Sequence, residues 1–183
     1  MRAFIGCLVS LLAISCQHSK PSVAPASHLH FSASLEGAKV NVMADGRSGS
    51  VDLRPQLAGV RVVSSQVIFS VRNEKGIFLV VDFVSRSSNG GECGSGTEEN
   101  LVWVAFDRSL RPVNLTSALI ASCLQSVAVA RVHQDDRSIV VTSDSAIQHL
   151  RGFVFFRKAA PELGFTFQKA DLPQNEPDAD RPN

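Results

Sequence analysis

The segment Ile77-Phe78-Leu79-Val80-Val81-Asp82-Phe83-Val84 is nearly continuous in apolar residues. A run of this length beside a turn signal reads as a central strand covered on both faces. Elsewhere apolar residues recur with period two, the signature of half-buried strands. Leu29, Phe31, Ala33 and Leu35 alternate with His28, His30, Ser32 and Ser34, and Glu36-Gly37 then turns the chain. Val40 to Ala44 is a second strand, closed by the polar stretch Asp45 to Gly49, and Val60 to Val63 is a short strand or the start of the next one. Gln66 to Arg72 and the Ile77 segment flank Asn73-Glu74-Lys75-Gly76, a hairpin turn with a late glycine. Leu101 to Phe106 is the expected neighbour of the central strand, joined to it through the long connection Ser88 to Asn100. Val127 to Val132, Ser138 to Thr142 and Gly152 to Phe156 follow as strands, and Phe165 to Phe167 closes the sheet. Thr116 to Gln125 is ambiguous. Thr116 or Ser117 suits an N-cap, so a short helix near 117–124 is preferred to another buried strand. The expectation is an all-β or nearly all-β domain, an antiparallel β-sandwich or small barrel of about eight to ten strands.

The ends of the chain carry a different pattern. An apolar run from Ala3 to Ile14 follows Arg2, and Ser15 stands directly before Cys16. The run is shorter than the roughly 20 apolar residues of a membrane-spanning helix and has the proportions of a signal-peptide core. Residues 1–15 are read as a signal peptide. Leu12-Ala13-Ile14-Ser15-Cys16 resembles the lipobox of bacterial outer-membrane lipoproteins, with Ala13 where that family usually has Leu. The resemblance implies that Cys16 is diacylated and becomes the new N-terminus. Gln17 is not the Asp that marks inner-membrane retention, which implies anchoring at the periplasmic face of the outer membrane. Such a protein is tethered by lipid and does not span. Residues 16–27, rich in Pro, Ser and Ala, read as the tether. Residues 28–169 are long enough for one β domain with its own core. The stretch 170–183, with three prolines and an acidic excess, reads as a disordered tail.

Loss of the signal peptide removes only Arg2 from the 18 basic residues, leaving 17 against 17 acidic ones. A neutral chain without a basic patch is unsuited to nucleic acid. Of the four cysteines, Cys7 departs with the signal peptide and Cys16 is acylated, leaving Cys93 and Cys123. In an oxidising periplasm a lone pair most often forms a disulfide. Closing a loop of about 30 residues is worth roughly 3 to 4 kcal/mol in the chain-entropy model.

The stretch Ser88-Asn89-Gly90-Gly91-Glu92-Cys93-Gly94-Ser95-Gly96-Thr97-Glu98-Glu99-Asn100 invites three chemical readings. A phosphate loop requires a lysine and a following helix, and this stretch has no lysine and leads into a strand. A nucleophile elbow needs Gly-x-Ser-x-Gly at a strand-to-helix turn, and Gly94-Ser95-Gly96 has the wrong spacing. Glu98 and Glu99 are a carboxylate pair, but neighbours on a strand point to opposite faces, and a solvated loop edge is the plainer account. A Ser95 or Glu98 site would need His133 or His149 within hydrogen-bond reach, about 3 Å. His28 and His30 lack an acidic or cysteine partner for a metal, and Asp135-Asp136 lacks the Asp-x-Asp-x-Gly pattern of a calcium loop. Trp103, between Val102 and Val104, reads as core.

No catalytic residue, cofactor or metal site is therefore assigned, and the expected function is non-enzymatic. The expectation is a lipid-anchored periplasmic binding or inhibitory module whose candidate recognition loop comprises Gly94, Ser95, Gly96, Glu98 and Glu99. Its partners would be the membrane, through Cys16, and a periplasmic protein, with hydrolase inhibition or immunity as the role. Membrane-bound inhibitors of c-type lysozyme are similar in being small β lipoproteins with a disulfide and a Ser/Gly-rich loop. They usually follow that loop with a tyrosine, and this chain contains none, so no residue role carries over. The alternatives are a structural accessory of an envelope assembly, pairing through a sheet edge, and a hydrolase of cell-wall glycan or peptide.

Overall fold

The computed structural model describes residues 30–57, 61–86 and 96–172. The expected signal peptide and tether, with Cys16, and the residues Cys93, Gly94 and Ser95 lie outside them. Among the described residues eleven strands run in order: β1 Phe31–Glu36, β2 Lys39–Ala44, β3 Arg47–Asp52, β4 Arg61–Asn73, β5 Gly76–Arg86, β6 Thr97–Phe106, β7 Pro112–Ser122, β8 Val127–Gln134, β9 Ser138–Ser145, β10 Leu150–Arg157 and β11 Phe165–Asp171. Short 3-10 turns at Arg54–Leu57 and Pro161–Leu163 complete it. Strands β1 to β3 form one antiparallel sheet, and β4 to β11 form an eight-stranded meander in which every strand pairs with its sequence neighbours. The fold is an all-β sandwich; the barrel alternative fails, because the larger sheet stays open, with β4 and β11 at its two edges.

The central strand was legible. From Ile77 to Val81 every residue of β5 is buried, and it pairs with β4 and β6. Its two faces serve two cores. Ile77, Leu79, Val81 and Phe83 join Val102, Val104 and Phe106 of β6 against Val40 and Val42 of the small sheet. On the opposite face, Phe78 and Val80 join Leu101 and Trp103 against Ile139, Val141, Val154, Phe156 and Phe165. The second core exists because the large sheet curls over itself. Register shifts along β4–β5, β6–β7 and β8–β9 supply the local twist. Phe69 of β4 meets Phe156 of β10 edge-on at 5.0 Å between ring centres. Between β7 and β8 the ladder shrinks to one pair, Ser122 with Val127, so the two halves fold at that corner.

Three expectations are corrected. The short helix near 117–124 is strand: Thr116 to Ser122 pair with Trp103 to Glu98 of β6, and residues 123–126 form the turn that follows. The β6 ladder satisfies those backbone groups, which overrides weak capping signals at Thr116 and Ser117. The stretch Asp45 to Gly49 is not all turn. Only Asp45-Gly46 turns, with φ of 52° and 70°, as a two-residue type I′ loop requires, and β3 begins at Arg47. Its glycine serves packing, since a β-carbon on Gly49 would stand 2.0 Å from the Leu110 carbonyl oxygen. Closing strand β11 runs on to Asp171, where it pairs with Leu150, and the Leu172 amide donates to the His149 carbonyl at 2.9 Å.

Candidate functional site

The Gly-rich connection springs from the ends of the two most buried strands. Arg86, the last residue of β5, is in register with Thr97, the first of β6. Gly96 is half-buried just before β6. Glu98 and Glu99 lie within β6, on opposite faces, and neither is a solvated loop edge as the sequence suggested: both are half-buried. Glu98 shares a face with Ser85 and Ser122. Its carboxylate accepts from the Ser122 hydroxyl at 3.0 Å, and its backbone carbonyl accepts from the Ser85 hydroxyl at 3.3 Å. The Ser122 hydroxyl also accepts from the Gln125 amide at 3.0 Å, which ties the β7–β8 turn to the start of β6. Cys123 is the first residue of that turn, next to Ser122, the register partner of Glu98.

Glu99 faces the inside of the curled sheet with Asp82 of β5. Asp82 is the one charged residue in the apolar octet that defines the central strand, and that interruption was the signal for it. The Gln66 side-chain amide donates to its Oδ2 at 3.3 Å, and its Oδ1 is buried without a partner among the described residues. Burial pushes both carboxyls above the ordinary carboxylate range, and for Glu99 the nearby Asp82 charge adds to it. The other described carboxylates that depart from their usual range are held low by hydrogen bonds and cations. Asp82 and Glu99 are thus the pair with proton-holding capacity.

Because the folded state disfavours ionised Asp82, the charge destabilises the fold at pH above the raised pKa, and the penalty fades as pH falls through it. Asp82→Asn is expected to raise stability at neutral pH by on the order of 1 kcal/mol. The gain should vanish in acid, near the ordinary carboxylate range. Denaturant unfolding at both pH values measures this, and an equal gain at both would show that charge is not the cause.

The structure does not bring the other candidates together. His133 faces Asp135, with Nε2 3.3 Å from Oδ2, and His149 sits in the β9–β10 turn with φ of 52°. No hydrogen bond joins either ring to Glu98, Glu99 or Asp82 among the described residues. Asp135 holds its own turn, accepting from the amides of Arg137 and Ser138 at 2.8 and 2.7 Å, bonds that hold its carboxyl down to about 2. His30 is exposed, its carbonyl accepting from Arg72 at 3.2 Å, and His28 lies outside the described residues. Among the described residues no group of three or more His, Cys, Asp or Glu could hold a metal ion. Trp103 is core, 2% exposed. Comparison of the chain with family models, characterised proteins and solved structures finds no match.

Proposed function

We propose that this chain is a lipid-anchored periplasmic recognition module of the outer membrane, without catalytic activity, that binds another envelope protein through the connection between β5 and β6. The observation that carries the reading is the base of that connection. A loop whose stems are the two most buried strands, in register at Arg86 and Thr97, is presented from a rigid platform. Its glycines permit close approach of another backbone. A Cys93–Cys123 bridge would limit the loop's freedom and the ordering cost of binding. One fact supports it: Cys123 follows Ser122, which is in register with Glu98 at the start of β6, where the connection ends. The anchor rests on the lipobox resemblance around Cys16.

The test captures partners of the full chain from periplasmic extract and compares wild type with Ser95→Trp and Thr97→Arg. Thr97 is exposed, whereas Glu98 is committed to Ser122 and would report on folding. Loss of at least about tenfold of one captured protein supports the loop as recognition surface, the size expected for a central contact. Capture indifferent to both substitutions would sink it. Labelling with a palmitate analogue, lost in Cys16→Ala, tests the anchor.

A further inference from the structure

We propose that the mouth of the curled eight-stranded sheet is a binding cavity for a small amphipathic carboxylate, a single unbranched apolar chain with an anionic head. An eight-stranded meander has the strand number that encloses one small ligand when it curls. Here the aromatic core of Phe78, Trp103, Phe156 and Phe165 fills part of the interior. The open part is a cavity of about 230 Å³, with Val127, Leu150, Val154 and Phe167 among its walls. One water needs about 10 to 15 Å³ of such space, so the cavity has room for a short organic chain. The β7–β8 ladder, reduced to Ser122 with Val127, opens the wall beside it.

Two polar features fix the head of the ligand. Ser143 of β9 lines the cavity and is 9% exposed, yet its hydroxyl has no hydrogen-bond partner among the described residues. That hydroxyl is therefore available to donate to a ligand in the cavity. Facing it across the ladder is Gly152, where a β-carbon would stand 3.2 Å from the Ser143 oxygen. The glycine keeps the space over that hydroxyl open. Lys169 of β11, the register partner of Gly152, lines the same cavity, is exposed, and forms no ion pair among the described residues. Its ammonium is placed for a carboxylate, and the exposed Phe167, two residues earlier, covers the chain.

The test is calorimetric titration of the full chain carrying Cys16→Ser, which leaves no acyl group to compete, with octanoate and with octanol. Expected results are saturable one-to-one octanoate binding, about tenfold weaker octanol binding, and a loss of that preference in Lys169→Gln. Gly152→Val should abolish binding of both. Should that variant fail to fold, Ser143→Ala, which removes a hydroxyl with no hydrogen-bond partner among the described residues, should weaken octanoate severalfold. Absence of saturable binding of octanoate to wild type overturns the proposal, as does octanoate binding untouched by Lys169→Gln and Ser143→Ala.

Discussion

Trp103→Ala is expected to lower the free energy of unfolding by roughly 3 to 5 kcal/mol, the range for deleting a large aromatic from a packed core. The indole is 2% exposed. It lies parallel to Phe78 with 6.5 Å between ring centres, and Gly164 packs onto its face so closely that a β-carbon there would sit 3.0 Å from the ring. Its Nε1–H donates to the Pro161 carbonyl at 2.9 Å, which pins the turn before β11 to β6. Alanine therefore loses apolar burial, leaves a cavity between the sheet halves and orphans a buried carbonyl. Trp103→Phe keeps most of the packing and should lose about 1 to 2 kcal/mol. Trp103 is the chain's one tryptophan, so unfolding must be followed by circular dichroism. If Trp103→Ala costs no more than Val132→Ala, at a position 59% exposed, the second core is not what holds the sheet halves together.

The sequence made the central layer legible and the outer layers less so, for a physical reason. A strand buried on both faces must be apolar throughout, so the Ile77 octet and its partner Leu101–Phe106 declare themselves without any knowledge of their neighbours. Edge strand β3, Arg-Ser-Gly-Ser-Val-Asp, buries little and reads as turn; only pairing with β2 makes it a strand. Strand β7 is buried at Ala118 and Ile120 but half-buried between them, so its alternation is blurred into something that resembles a short helix. The opposite facing of Glu98 and Glu99 followed from the two-residue period. Their burial did not, because it depends on Ser122 arriving from β7 and on the curl that covers Glu99. The cavity was not legible at all: its residues come from five strands, and nothing local marks Ser143 or Gly152 as facing each other.

Gly76→Ala is expected to cost roughly 2 to 4 kcal/mol, more than any loop glycine that merely needs an unusual backbone angle. Gly76 ends the β4–β5 turn, where the Asn73 side chain accepts from the amides of Lys75 and Gly76 at 2.8 and 3.3 Å. Its φ is 154°, a conformation that L side chains rarely adopt, and a β-carbon would stand 2.0 Å from the Phe106 carbonyl oxygen. That obstacle is backbone, not the tip of a flexible side chain, so β5 or β6 must shift. Both carry the two cores, and Ile77 beside Gly76 pairs with Phe106. Gly37→Ala separates the causes. Gly37 has φ of 58° with nothing within 4 Å, so its alanine should cost only the left-handed penalty, about 1 kcal/mol. Urea unfolding of both variants gives the comparison. Equal losses would mean that the close approach of β6 to the turn is relieved at no cost. A larger loss at Gly76 assigns the excess to contact between the two strands on which the loop and both cores depend.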